Sequence, residues 1–150
     1  MEIWTAIVNS KWDTRFMRLA REIADWSKDP SSKIGAIIVN DKRRILATGY
    51  NGFPEGIEDT EERLNNREEK YPRIIHAETN ALLNALKNGV SVEGATLYVC
   101  GLPVCPDCTK SIIQAAITLN RTKYNGNANV VALAINVTGD SNGTATGVLS

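Results

Sequence analysis

The chain has 150 residues, of which 43% are hydrophobic and 23% are charged, with 17 Lys and Arg against 17 Asp and Glu. This is the composition of a globular domain with a hydrophobic core and not of a disordered tail. The balanced charge argues against a long nucleic-acid footprint, and no run approaches the ~20 apolar residues of a membrane span. We therefore expect no transmembrane helix. Because MEIWTAIVNSK, at residues 1–11, lacks the features of a signal peptide, we also expect no export by a standard signal.

The first third of the chain predicts one helix and a β-hairpin. Residues 12–27 have apolar side chains at helical spacing and offer Asp13 or Thr14 as an N-cap. The apolar positions are Phe16, Leu19, Ala20, Ile23 and Trp26. After the turn-rich SKDPSSK of residues 27–33, IGAIIVN and ILATGY flank a polar DKR, which predicts two paired strands. Gly35 and Gly49 indicate strand ends or close backbone approaches.

Residues 51–71, here called the polar segment, begin with NGFPEG and continue into a charged stretch without apolar periodicity. We predict a solvated loop or a short exposed helix. A loop of ~20 residues is uncommon in a compact domain unless it is functional, so a lid or regulatory role stays open.

The remaining chain predicts alternating helices and strands. HAETNALLNALKNG (76–89) and PDCTKSIIQAAI (106–117) have helical spacing, with Gly89 as a C-cap and Pro106 in a first turn. ATLYVC (95–100) and NVVALAIN (129–136) are typical of buried strands, and 138–150 of a loose end or weak edge strand. This order predicts an α/β layered sandwich around a mixed sheet of four strands.

One histidine and three cysteines are the candidate metal ligands. His76 opens one predicted helix in H-A-E, and Cys105 and Cys108 open the next in C-P-D-C. Cysteines at i and i+3 on a first turn face the same way, and a helix N-terminus favours the thiolate. Three protein ligands leave a fourth position for water, as in catalytic zinc sites. A lone C-x-x-C can instead be a redox pair or half a structural zinc knuckle, and we predict Cys100 to be a small buried hydrophobe.

Zinc at these residues would lower the pKa of a bound water from ~15.7 towards ~7 and supply hydroxide at neutral pH. Glu78, two residues after His76, can take the water proton and deliver protons to a ring nitrogen and the leaving group. H-x-E with P-C-x-x-C and a non-ligating Glu is a known signature of zinc nucleobase deaminases. The pattern therefore predicts hydrolytic removal of an amino group from a heteroaromatic ring.

Five separated segments resemble the deoxycytidylate (dCMP) deaminases of the cytidine deaminase-like superfamily: WSKDPSSKIGAIIV, ATGYNGFP, YPRIIHAETNALLNA, GATLYV and CPDCTKSIIQAAI. The resemblance covers residues 12–117. It implies a three-layer α/β/α cytidine deaminase-like sandwich and a single zinc-dependent deaminase domain over residues 1–150, divergent after residue 117. It also implies conversion of dCMP to dUMP for dTMP synthesis, in the cytoplasm, or in that of the host if the source is viral.

The resemblance also implies roles for individual residues. One zinc ion per chain would be held by His76, Cys105 and Cys108, with Glu78 as the proton shuttle. The implied substrate-binding residues are Asn51 for deoxyribose and pyrimidine, Ser31, Ser32 and Lys33 for the 5′-phosphate, Ala77, and Tyr124 as the tyrosine that helps close over the substrate. Regulation by dCTP (activator) and dTTP (inhibitor) with Mg²⁺ is implied at Gly49, Tyr50, Gly52 and Arg73, in a homohexamer, and Arg73 is a weaker phosphate candidate.

Two features limit the resemblance. Val104 precedes Cys105 where the family has proline, because Pro103 is shifted by one position, and residues 118–150 match the family poorly. The alternatives are a tRNA, nucleic-acid or other free-nucleotide zinc deaminase, and a non-catalytic zinc-binding relative. The charge balance and SKDP oppose a nucleic-acid substrate, whereas Glu78 opposes a non-catalytic role.

Overall fold

The structure is a computed structural model, and it describes residues 11–102, 104–120 and 134–135. The helices of these residues are α1 (Lys11–Asp25), α2 (Glu61–Asn65), α3 (Arg67–Lys70), α4 (Ala77–Lys87) and α5 (Pro106–Gln114). The strands are β1 (Gly35–Val39), β2 (Ile45–Tyr50), β3 (Thr96–Cys100), β4 (Thr118–Asn120) and β5 (Ala134–Ile135). Among these residues, no helix combines the length and the apolar character needed to cross a membrane.

The sheet is mixed, with the strand order β2-β1-β3-β4-β5. β1 pairs antiparallel with both β2 and β3, while β3 and β4 are parallel. The predicted hairpin is confirmed, and its turn is closed by Asn40, whose side-chain oxygen accepts from the backbone N–H groups of Lys42 and Arg44 at 3.0 and 2.9 Å. All five residues of β1 are buried, as expected for a central strand with both faces covered.

Helices cover both faces of this sheet, which confirms the predicted three layers. On one face α1 packs Phe16, Met17 and Ala20 against Ile37 and Tyr98. On the other face α4 and α5 pack against the alternate side chains of the same strands. These residues are Ala77, Ala81, Ala85 and Ile112 from the helices and Ala36, Ile38, Leu97 and Val99 from the strands. The period-two alternation of β1 and β3 thus divides the core into two halves.

The close approaches predicted at Gly35 and Gly49 are confirmed. A Cβ on Gly35 would lie 2.0 Å from the carbonyl oxygen of Ala20 in α1, and one on Gly49 would lie 2.3 Å from the backbone nitrogen of Ala81 in α4. Each glycine therefore lets one helix rest directly on the sheet backbone.

Two expectations about α1 are wrong. The helix already includes Lys11, so Asp13 lies within its first turn and is not an N-cap. Asp13 is buried instead and accepts a hydrogen bond from the Tyr98 hydroxyl across the sheet face. Trp26 follows the last residue of the helix and is 55% exposed, with its ring edge-on to Tyr50 at 6.2 Å between centroids. Its spacing matches the apolar face, but Trp26 lies beyond the helix end at Asp25 and is not part of the core.

The polar segment forms the short helices α2 and α3. Their N-caps are Thr60, which accepts from the backbone N–H of Arg63, and Asn66, which accepts from that of Glu68. The sheet has five described strands and not four, because β4 is a three-residue strand that periodicity does not reveal. β5 lies inside the predicted strand 129–136, and the weak edge strand predicted at 138–150 falls outside the described residues.

Candidate active site

The starts of α4 and α5 meet on the same side of the sheet. His76 is the N-cap of α4, and Cys105 is the N-cap of α5, where its sulfur accepts from the backbone N–H of Cys108 at 3.4 Å. Pro106 occupies the first helical turn, as predicted, where its missing N–H costs nothing. The two helix starts thus bring His76 to two cysteines that lie 29 and 32 residues further along the chain.

His76, Cys105 and Cys108 form a group with the geometry of a metal site. Nδ1 of His76 lies 3.3 Å from each of the two sulfurs, and all three ligand atoms lie within 4.8 Å of one another. Tetrahedral zinc with bonds of about 2.1 Å to nitrogen and 2.3 Å to sulfur would place those atoms about 3.6 Å apart. One imidazole and two thiols are also donors that zinc prefers, so the residues fit the ion.

Burial disfavours an uncompensated thiolate at Cys108. Its environment raises the pKa of the thiol to about 12, chiefly through burial and against the hydrogen bond with Thr79, whose oxygen lies 3.4 Å from the sulfur. A bound cation supplies the opposite charge that a thiolate needs here. The chemistry of the pair Cys105 and Cys108 is therefore that of metal ligands more than of exposed redox thiols.

Glu78 lies in the first turn of α4, two residues after His76, and is only 2% exposed. Its Oε2 is the one buried side-chain oxygen or nitrogen atom without a hydrogen-bond partner in the described part of the chain. Burial raises the pKa of this carboxyl group to about 7. A buried carboxyl oxygen that no protein group satisfies is expected to have another partner, such as a water or a substrate atom.

Asn51 is buried at the end of β2 and holds the loop of residues 27–33. Its side-chain oxygen accepts from the backbone N–H of Ile34 at 2.9 Å, and its amide nitrogen donates to the carbonyl oxygen of Ser32 at 2.8 Å. Asp29 fixes the same loop by accepting from the backbone N–H groups of Ser31 and Ser32. The loop is therefore a built structure and not a loose solvated turn.

A cavity of about 290 Å³ opens beside His76, near the lower end of the volumes that hold small ligands. Polar residues of the 27–33 loop and of the polar segment line most of it. Its lining residues include Ser31, Ser32, Asn51, Arg67, Lys70 and His76. Lys33 is exposed and does not line this cavity.

A second cavity, of about 630 Å³, is lined by Tyr50, Gly52 and residues of α4. The backbones of Gly52 and Ile75 are paired by two hydrogen bonds of 3.1 and 2.8 Å, and both residues line this larger cavity. Their neighbours Asn51 and His76 line the smaller one. The two cavities therefore lie on either side of the same short bridge.

The other predicted site residues are distributed as follows. Gly49 is packed under α4, Ala77 is fully buried in the core, and Arg73 forms an ion pair of 3.0 Å with Glu69 and lines neither cavity. Tyr124 lies outside the described residues. Sequence reasoning did not identify the buried pair of Asp29 and Lys70, because a charged residue in a polar segment carries no sign of burial.

Comparison with known proteins gives consistent matches. The family model of the cytidine and deoxycytidylate deaminase zinc-binding region matches residues 10–122. An uncharacterised deaminase from Aliivibrio fischeri is 41% identical over 109 residues, which are 73% of this chain and 70% of that protein. Human deoxycytidylate deaminase is 44% identical over 112 residues, 71% of this chain and 61% of the human protein. The chain thus spans less than two thirds of its human relative.

Among solved structures, the dCMP deaminase of the cyanophage S-TIM5 in complex with dCMP and dUMP matches with a TM-score of 0.60 and 34% identity. The match covers 70% of this chain and 75% of the cyanophage protein.

Proposed function

Because the chain belongs to the cytidine and deoxycytidylate deaminase family and has the cytidine deaminase-like fold, we propose that it converts dCMP to dUMP by hydrolytic deamination. The observation that carries this proposal is the pairing of one candidate metal-ligand group with one buried carboxyl group whose Oε2 has no hydrogen-bond partner in the described residues. His76, Cys105 and Cys108 supply the ligands, and Glu78 stands two residues from the first of them. We also treat residues 1–150 as a single deaminase domain.

His76, Cys105 and Cys108 hold the zinc ion in this proposal. Bound zinc lowers the pKa of a water molecule and so supplies a nucleophile at neutral pH. The three residues lie at the starts of two helices, and sites built on helices hold their ligands more precisely than sites on loops. No fourth ligand among His, Cys, Asp or Glu joins the group in the described residues, which leaves a position open for chemistry.

Glu78 moves the protons. Its carboxyl group has a pKa of about 7, so both protonation states are accessible near neutral pH, as acid–base catalysis requires. As a carboxylate it takes one proton from the water that adds to C4 of the pyrimidine and gives that proton to the neighbouring ring nitrogen. It then takes the proton of the new C4 hydroxyl group and gives it to the amino group, whose bond to C4 breaks. Release of ammonia leaves the carbonyl group of uracil.

The smaller cavity beside His76 receives the nucleotide. Within the protein, Asn51 uses its amide nitrogen as a donor and one acceptor position of its side-chain oxygen. A second acceptor position on that oxygen is left for a substrate hydroxyl or amine. Ser31 and Ser32 line the cavity and offer donors to a phosphate. Lys33, Ala77 and Tyr124 are assigned to substrate binding by family resemblance alone.

We place regulation at the larger cavity. Tyr50 and Gly52 line it, and we propose that dCTP with Mg²⁺ activates and dTTP inhibits there, in a homohexamer. Gly49 supports this site by letting β2 rest on α4, and Arg73 is assigned to it by resemblance. The enzyme then feeds dTMP synthesis in pyrimidine nucleotide metabolism.

Glu78→Gln tests the chemistry directly. We expect the wild-type zinc-loaded protein to release dUMP and ammonia in equal amounts from dCMP, and the variant to bind zinc and fold normally but turn over at least about 100-fold more slowly. Glu93→Gln is the matched control, because Glu93 is an exposed glutamate and lines neither cavity. Full activity in the Glu78 variant would contradict the mechanism.

A further inference from the structure

Helix α3 of the polar segment forms one wall of the smaller cavity. Arg67, Lys70 and Tyr71 line this cavity together with Ser31 and Ser32 of the loop that spans residues 27–33. The polar segment therefore contributes to the cavity beside His76, and not only to the larger cavity on the other side of the Gly52–Ile75 bridge.

The charge of Lys70 is already used within the protein. Its Nζ lies 3.1 Å from Oδ1 of Asp29 and 3.3 Å from Oγ of Ser31, and the side chains of the pair are only 8% and 6% exposed. This buried pair joins α3 to the loop and neutralises both charges. The pair fixes the relative position of the two cavity walls. Because Asp29 neutralises its charge, Lys70 is not available as a cation for a ligand.

Arg67 differs from Lys70 in having an unused charge. It is exposed and lines the cavity, and within the described part of the chain its guanidinium forms no hydrogen bond or ion pair. It lies three residues before Lys70, which places both on neighbouring positions of the helix surface. Asp29, Arg67 and Lys70 are the charged lining residues, so pairing of the other two leaves the cavity with the positive charge of Arg67.

We propose that Arg67 binds the 5′-phosphate of the nucleotide substrate, so that the polar segment is part of the substrate pocket. A guanidinium can bind two phosphate oxygens at once, and the Ser31 and Ser32 hydroxyl groups can donate from the opposite wall. This inference rests on the proposed function, and it explains how a cavity lined by one acidic side chain can still accept a doubly charged phosphate. It makes Arg67 the residue that separates nucleotides from nucleosides.

The test compares Arg67→Gln and Arg67→Lys with Arg63→Gln and Lys33→Gln in zinc-loaded protein. Arg63 is the matched control, because it also lies in the polar segment but donates to the carbonyl oxygen of Glu58 and lines neither cavity. Calorimetry measures the Kd for dUMP, the unreactive product, and absorbance measures KM and kcat with dCMP. Loss of one charged hydrogen-bond set is expected to weaken dUMP binding and raise KM about 10- to 100-fold.

In Arg67→Gln we expect this weakening with a smaller change in kcat, partial recovery in Arg67→Lys, and values within twofold of wild type in Arg63→Gln. If Arg67→Gln stays within twofold of wild type, whether or not Lys33→Gln weakens binding, Arg67 does not bind the phosphate; the inference is then overturned while the proposed function stands. If wild-type protein with one zinc per chain neither turns over dCMP nor binds dUMP, the proposed function fails and the inference fails with it.

Discussion

Glu78 and Cys108 are both buried, and burial raises the pKa of each group, to about 7 and about 12. An isolated carboxylate or thiolate at these positions would be costly, because no solvent compensates its charge. In the proposed mechanism, a divalent cation held by His76, Cys105 and Cys108 would offset the thiolate charge, and a reacting water or amino group would give Oε2 of Glu78 a hydrogen-bond partner. At the scale of single residues, the four side chains make chemical sense only as a set.

Replacing sulfur by oxygen at Cys108 and at Cys100 compares a proposed zinc ligand with a cysteine of the core. Cys108→Ser removes a ligand, and we expect zinc affinity to fall by more than the 10- to 100-fold typical of changes around a ligand. Cys100→Ser changes a buried sulfur of β3 that contacts the opposite half of the core. We expect it to keep one zinc per chain and to cost about 1 kcal/mol of unfolding free energy.

Zinc content after dialysis against a competing chelator, measured by atomic absorption, checks both cysteine variants. Retention of zinc by Cys108→Ser, or its loss from Cys100→Ser, would place the metal elsewhere.

At the scale of elements, β2 and α4 touch through a glycine. Gly49→Ala would force a Cβ to within 2.5 Å of the carbonyl oxygen of Ala77, in the helix turn that also carries Glu78. We expect a loss of about 1–3 kcal/mol of unfolding free energy, because the helix must shift. Gly52→Ala is the control, since a Cβ there meets nothing within 4 Å. Urea unfolding followed by circular dichroism measures both, and equal stabilities would contradict this account of the contact.

The second contact between elements is the buried pair of Lys70 in α3 and Asp29 in the 27–33 loop. Lys70→Met leaves a buried carboxylate without its cation, and we expect a loss of about 3–5 kcal/mol. The double variant Asp29→Asn with Lys70→Met removes both charges, yet the asparagine oxygen can still accept from Ser31 and Ser32. We expect it to be clearly more stable than Lys70→Met alone in the same urea titrations. A double variant as unstable as the single one would show that the pair contributes packing and not charge.

Most elements, and the grouping of His76 with Cys105 and Cys108, could be predicted from sequence because their signals are local. The spacing of His76 and Glu78 at one helix start, and of Cys105 and Cys108 at another, is readable in four-residue windows. The ion pair of Asp29 and Lys70 joins residues 41 positions apart, and no local pattern marks either one as buried. The caps Thr60 and Asn66 were visible signals for α2 and α3, but helices this short have no apolar periodicity to accompany them.

At the scale of the whole molecule, one end of the sheet gathers both candidate sites. β2 ends at Tyr50, and the chain continues through Asn51 and Gly52. Of these three consecutive residues, Tyr50 and Gly52 line the larger cavity and Asn51 lines the smaller one. The backbone bridge from Gly52 to Ile75 leads directly to His76. A ligand in the larger cavity would therefore contact the same two chain segments that hold the 27–33 loop and His76, which is a physical route for the proposed regulation.

The proposed deamination is tested most directly by the initial rate of absorbance change after zinc-loaded protein is mixed with dCMP. Deoxycytidine, dCTP and a tRNA anticodon stem are the competing substrates, each with and without dCTP or dTTP plus Mg²⁺ as effectors. We predict turnover of dCMP above the other three, raised by dCTP and suppressed by dTTP. Turnover of dCMP without any effector response would leave the deaminase and remove the regulation. No turnover of any substrate by protein with one zinc per chain would contradict the claim and indicate a non-catalytic zinc-binding relative.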